Sequence, residues 1–186
     1  MENTWWQFIL LYPIYFFVFI AFPCFAITVI LKWLVVGKYK PASWPMWNYK
    51  VWCSEAITSV YESVAVPFFL EHLKGTPWLP ICLRAFGVKT GKRIYLDTTD
   101  FTEHDLTSIA DEAMLNADCG PQTHLFEDRV MKMGTIHIGK RTKIGAGTII
   151  LYDTVIGDEV KIESLSLVMK GEHLMDSTNW KGNPLR

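Results

Sequence analysis

The chain of 186 residues carries almost no net charge, −1, from 18 basic and 19 acidic side chains. That balance leaves no electrostatic footprint for nucleic acid, and no nucleic-acid partner is expected. Cysteine is scarce and dispersed, and Cys24, Cys53, Cys82 and Cys119 form no Cys-x-x-Cys pair. Their spacing argues against a disulfide frame and a thiolate zinc site; they read as reduced, buried or incidental thiols. Charged residues are missing altogether from Gln7 to Leu31. A basic leader is missing as well: only Met1-Glu2-Asn3-Thr4-Trp5-Trp6 precedes that run, which argues against a secretory signal peptide.

As a helix, the uncharged run spans about 37 Å at 1.5 Å per residue, enough to cross a hydrocarbon core of roughly 30 Å with some tilt. Trp5 and Trp6 at one end and Trp33 at the other suit an interfacial aromatic belt. Pro13 and Pro23 are kinks of the kind membrane helices tolerate. Lys32, Lys38, Lys40 and Lys50 follow the run and only Glu2 precedes it. The positive-inside rule therefore predicts a single-pass membrane protein, partnered by lipid, with its C-terminal bulk cytoplasmic. The expected division is 1–40 for this helix and its flanks, 41–87 for a linker and amphipathic helices, and 88–186 for the folded domain. Pro41 to Trp52, rich in Pro and Trp, predicts a linker at the membrane surface. From Ser54 to Leu73, Ile57, Val60, Tyr61, Val64, Phe68 and Phe69 fall near one helical face. That face either lies on the membrane or caps the next domain; the sequence leaves both open.

The last third repeats every six residues. Ile138, Ile144, Ile150, Ile156, Ile162, Val168 and Leu174 are all aliphatic. Two positions before each stand Ile136, Thr142, Thr148, Thr154, Val160, Ser166 and Glu172, and Gly139, Gly145 and Gly157 follow three of them. A helix repeats at 3.6 and an ordinary strand at 2, so a period of six needs another architecture. A left-handed parallel β-helix supplies it. Three flat strands make one triangular coil, the aliphatic residue fills each corner, and the next glycine permits the turn, often at φ > 0. The first coil is expected near Val88. Residues 97–104 distort it, and 116–133 leave the repeat as a loop insertion on one face.

Such a β-helix resembles the hexapeptide-repeat acyltransferases, and the ending Gly182-Asn183-Pro184-Leu185-Arg186 looks like the Gly-x-Pro-Ala-Arg/Lys close common there. The resemblance implies a loop histidine acting as general base, and His124 on the insertion matches that role. Glu127 or Asp128, three and four residues on, would orient it. Asn116 and neighbouring backbone would hold the oxyanion. Asp97 and Asp100 either hold a cationic amine substrate or merely end a distorted coil. No metal is expected. His137 and His173 would stand two coils apart, roughly 10 Å, too far for a single zinc within one chain.

A closer resemblance runs from Trp47 almost to the end, about three quarters of the chain. It rests on Val66-Pro67-Phe68-Phe69-Leu70, Gly75-Thr76-Pro77, Tyr95-Leu96-Asp97-Thr98-Thr99-Asp100, Leu115-Asn116-Ala117-Asp118-Cys119, Gln122 to Gly134, and Ser166 to Glu172. These phrases are similar to the C-terminal acetyltransferase-like domains of ε-poly-L-lysine synthetase-type non-ribosomal peptide synthetases. The resemblance implies an acyltransferase that forms amide (isopeptide) bonds, His124 deprotonating the attacking amine. The donor would be an aminoacyl thioester on a carrier's phosphopantetheine arm, or acetyl-CoA. Carrier and adenylation domains are the implied partners, since these residues contain neither. A homotrimer, or a pseudo-trimer with sister domains, is implied too. A CoA-dependent small-molecule acetyltransferase and a non-catalytic trimeric scaffold are the alternatives.

Overall fold

The computed structural model describes residues 5–186, with side chains at Ile9 and from residue 11 onward. The flank Met1–Thr4, Glu2 included, lies outside the described residues, as do the side chains of Trp5 and Trp6. A nearly continuous helix opens the fold: α1 (Trp5–Phe16), a π-helical turn (Phe17–Ala21) and α2 (Phe22–Val35). Pro23 falls at the start of α2, beside the widened turn, where its missing N–H costs least. Within Leu11–Val35 an 18-residue window reaches a mean hydropathy of 2.6, and by length and composition the helix is long and apolar enough to cross a membrane. Its two ends differ. Tyr12, Ile14 and Phe19 are exposed, whereas from Ala21 onward one face of the helix is docked on the body and Phe22, Ile27, Ile30 and Leu34 on the other stay exposed. Phe25 and Val29 pack on the core, and Lys32 is fully buried, 2.6 Å from Asp105.

The segment after this helix is not a free linker. β1 (Ala42–Pro45) is a paired strand, and the Asn48 side chain caps α3 (Tyr49–Val60) by accepting the Lys50 N–H. A π-helical turn (Tyr61–Ala65), the short α4 (Val66–Phe68) and a 3-10 turn (Leu70–Leu73) lead to α5 (Trp78–Phe86). Tyr61, Ala65, Leu70, Leu79, Leu83 and Phe86 are buried against Val88, Ile94 and Leu96 of the first coil. These helices therefore cap the solenoid, settling one alternative the sequence left open. Trp47, Trp52 and Trp78 remain exposed on the outside.

The solenoid is a three-sided parallel β-helix. Its first coil has β2 (Lys89–Thr90) and β3 (Tyr95–Leu96), but its third side loops out and ends in a 3-10 turn, His104–Leu106. The second coil has β4 (Thr107–Ile109), β5 (Met114–Leu115) and β6 (Gly120–Gln122). A hairpin, β7 (His124–Glu127) and β8 (Val130–Met133), interrupts the winding. Regular coils follow: β9 (Ile136–Ile138), β10 (Lys143–Ile144) and β11 (Ile149–Leu151), then β12 (Thr154–Ile156), β13 (Lys161–Ile162) and β14 (Leu167–Val168). The last holds β15 (His173–Leu174) and β16 (Asn179–Trp180). The sides stack as β2-β4-β9-β12-β15, β3-β5-β10-β13-β16 and β6-β11-β14. Ile136 lies beside Thr154, Lys143 beside Lys161 and Ile149 beside Leu167, each partner 18 residues on.

All seven aliphatic residues of the six-residue series are buried. Burying each contributes about 2 kcal/mol. The threonines two places earlier are buried as well, and their hydroxyls bond turn carbonyls: Thr142 to Gly157 O, Thr148 to Glu163 O, Thr154 to Leu151 O. The glycines need correcting. Positive φ falls at Arg141, Gly147, Asp153, Glu159, Leu165, Gly171 and Ser177, three residues after the aliphatic corner and not one. Gly139 and Gly145 are required by close approach instead. A Cβ on either would lie 2.3 Å from backbone of the next coil.

The insertion is also shorter than 116–133. Gly120 pairs with Ile149, so the second coil completes its third side before the chain leaves at Thr123. Asp128 and Arg129, both at positive φ (52° and 63°), make the two-residue hairpin turn. β1 joins the hairpin antiparallel, giving a three-stranded sheet in the order β1-β8-β7.

Candidate functional site

Strand alternation determines which side chains the hairpin presents. His124, Met133 and Ala42 are in register across the three strands, as are Phe126, Met131 and Trp44. Residues two apart share a face, so these six lie on one side of the sheet. A cavity of about 340 Å³ is bounded by Trp44, Met131 and Met133 and by Ser54 of α3, with Lys38, Lys40 and Lys50 also lining it.

His124 Nδ1 lies 2.9 Å from Glu103 Oε2. Glu103 comes from the looped third side of the first coil, and its carboxylate is fully buried. The Thr123 hydroxyl donates to it at 2.7 Å and the Ser54 hydroxyl at 3.2 Å, while Thr123 Oγ1 accepts the Glu103 N–H. Burial alone would raise the Glu103 pKa. The hydrogen bond and charge of His124, with the Thr123 bond, outweigh that and hold it below the usual carboxylate range. Burial likewise opposes protonation of His124, but Glu103 and then Glu55 outweigh it and hold the imidazole above its usual value. An ionised Glu103 accepts from Nδ1–H, which leaves the Nε2 lone pair as the basic position. Glu55 of α3 stands on that side. Its Oε1 is 3.8 Å from Nε2, is buried, and has no hydrogen-bond partner among the described residues.

Glu127 and Asp128 do not orient His124. Three residues along a strand is an odd step, so Glu127 projects from the opposite face. There it pairs with Lys170 and, at 2.9 Å, with Lys132, which hold its carboxyl down at about 2. Asp128 sits exposed in the hairpin turn. The Asn116 amide donates to Ile144 O at 2.7 Å, within the coil stack. Asp97 keeps its backbone N–H on Leu115 O, and the Asp100 carboxylate lies against Gly120. None of these three makes a hydrogen bond to His124. Glu103 and Glu55 were missed as site residues.

Glu55, Glu103 and His124 offer donor atoms within 4.8 Å of one another. Glu103 stands at Nδ1, 2.9 Å away, and Glu55 at Nε2, 3.8 Å away, so the imidazole meets both carboxylates. In the outward column, Val155 stands between His137 and His173, and His137 Nδ1 is 2.5 Å from Ser108 Oγ. His104 is a core residue between Tyr61 and Phe86; burial pushes its pKa down to about 3, so it stays neutral.

A hairpin histidine is thus held by a buried carboxylate on a hexad-repeat β-helix. The hexapeptide-repeat-containing acetyltransferase VCA0836 from Vibrio cholerae aligns with a TM-score of 0.51, covering 88% of this chain and 88% of that one at 12% identity. The fold is therefore the left-handed β-helix of that group. No family model matches the chain. By sequence, 161 residues, 87% of the chain, are 50% identical to part of the Delta-poly-L-ornithine synthetase of Acinetobacter baumannii (strain AB307-0294). The chain spans 12% of that synthetase's length. It is thus similar to one segment of a poly-amino-acid synthetase.

Proposed function

We propose that this domain transfers an acyl group from a thioester to an amine, with His124 as general base and Glu103 as the group that orients it. The observation that carries this reading is the 2.9 Å contact between His124 Nδ1 and the buried Glu103 carboxylate, which leaves Nε2 as the basic nitrogen. Nε2 takes the proton of the attacking nitrogen, and the resulting imidazolium is stabilised by Glu103. The leaving thiolate then recovers the proton. The relationship to a poly-ornithine synthetase supports an amine nucleophile on a basic amino acid, and hence an isopeptide product. The three lysines lining the cavity suit the phosphate of a phosphopantetheine arm or of coenzyme A.

In this reading the helix through Leu11–Val35 anchors the domain in a membrane with the solenoid cytoplasmic. Carrier and adenylation domains supply the donor. Copies or sister domains associate through the coil faces, where Ile149, Val155 and Met169 are exposed. The test is product formation by the full chain in detergent or lipid. An aminoacyl-loaded carrier is supplied in one reaction and acetyl-CoA in another, each with free ornithine or lysine, and His124→Ala is run beside the wild type. Aminoacyl transfer from the carrier, lost in the variant, supports the reading. Acetyl transfer alone makes the domain a small-molecule acetyltransferase. A His124→Ala variant as active as wild type refutes the base.

A further inference from the structure

The imidazole of His124 meets two carboxylates of different character, one at each ring nitrogen. Glu103 is saturated by His124, Thr123 and Ser54. Glu55, one residue after Ser54, has a buried oxygen with no hydrogen-bond partner among the described residues, 3.8 Å from Nε2. That separation is too long for a hydrogen bond and leaves the two groups facing each other across a gap. A nitrogen seated to one side of the line joining them, at the apex of a triangle, reaches both at about 2.9 Å.

We propose that Glu55 is a second proton acceptor of the site and selects a protonated primary amine as the nucleophile. This rests on the acyl-transfer reading above. A hydroxyl gives up one proton when it is acylated; an alkylammonium gives up two. With His124 as sole base, an ammonium would occupy the site without becoming nucleophilic. Glu55 supplies the missing acceptor. R–NH3+ passes a proton to the Glu55 carboxylate, and the free lone pair attacks the thioester carbon. The C–N bond forms, Nε2 takes a proton from that nitrogen, and the C–S bond breaks. The thiolate takes the proton held on His124, and Glu55 releases its own to solvent. The sum is thioester plus ammonium giving amide, thiol and one proton. Burial pushes the Glu55 carboxyl up, which makes it a better acceptor than an exposed glutamate.

The experiment compares two nucleophiles with the full chain and an aminoacyl pantetheine thioester. Ornithine is protonated at neutral pH, whereas hydroxylamine is largely neutral and gives up one proton. Glu55→Gln keeps the side-chain shape and removes the acceptor. Its kcat/KM with ornithine is expected to fall about a hundredfold, the scale of one general base, while hydroxylamine changes less than about threefold. His124→Ala is expected to lose both reactions. An equal fall with both nucleophiles, or none with either, overturns the role of Glu55 while leaving His124 standing. Retention of both reactions by His124→Ala, or no transfer by wild type to either nucleophile, overturns the acyl-transfer reading and this proposal with it.

Discussion

Glu103→Gln tests the orientation of His124 most directly. The substitution keeps the side chain's size in a site with no exposure, so it removes the charge without opening a cavity. A charge-assisted hydrogen bond of this kind is worth about 1.5–3 kcal/mol, or roughly ten- to a hundredfold in rate if it forms fully only with the imidazolium. The plateau rate of acyl transfer is therefore expected to fall by up to about a hundredfold. The pH profile carries the second sign. His124 acts when neutral, and Glu103 holds its pKa above the usual value, so the wild-type acid limb lies above about 6.5. Without the carboxylate the limb moves to lower pH, although Glu55 retains part of the upward pull. The variant is thus slower at its plateau yet less sensitive to mild acid. Stability follows the opposite group. Glu103 has a depressed pKa, so its contribution is present above about 4.3 and is lost as pH falls through the folded value. Glu103→Gln lacks that term and should lose less stability below pH 4.3 than wild type. Rate–pH profiles and melts across pH read both effects. A plateau within about threefold of wild type, with an unmoved acid limb, would refute the dyad.

Other substitutions separate the remaining claims. Glu127→Gln should leave acyl transfer within about twofold of wild type, because its carboxylate serves Lys132 and Lys170 on the opposite face; a loss near that of His124→Ala would return it to the site. Gly139→Ala should cost about 3 kcal/mol in urea melts, since its Cβ would meet the Gly157 carbonyl at 2.3 Å. Gly147→Ala, at φ +64° and against the movable Leu165 side chain, should cost only about 1–2 kcal/mol; the reverse order would mean that positive φ dominates after all. Lys32→Ala leaves Asp105 buried and without its cation, at an expected cost of about 3–5 kcal/mol. Adding Asp105→Asn should recover part of that loss, which a double-mutant cycle measures.

The repeat was legible because each coil obeys a local rule. Side chains at a fixed spacing reach the same corner of the prism, so Ile138 to Leu174 can be read without knowing what they touch. The glycines were misread for the same reason. Which of them need positive φ and which need room depends on the coil stacked above, as Gly139 under Gly157 shows. The dyad was hidden by a stronger form of this effect. A partner for His124 was sought three or four residues away, the neighbour distance of a helix. Neighbours in this fold lie one coil apart, and hydrogen bonds across 18 residues run through it, from Lys140 N to Asp158 and from Arg141 to Glu159. Counting back one coil from Thr123-His124, and allowing for the loop of the third side, leads to Thr102-Glu103. Thr102 and Thr123 are in hydroxyl contact at 2.7 Å, and the same stacking sets Glu103 beside His124. Glu103 belongs to a run that is buried throughout, residues 101–104, within a stretch that the sequence alone presents only as a distortion of the coil. Glu55 had no comparable signal. It arrives from the capping helix, and nothing in the hexad pattern relates α3 to the hairpin; the β1 strand that pairs with β8 brings the two together.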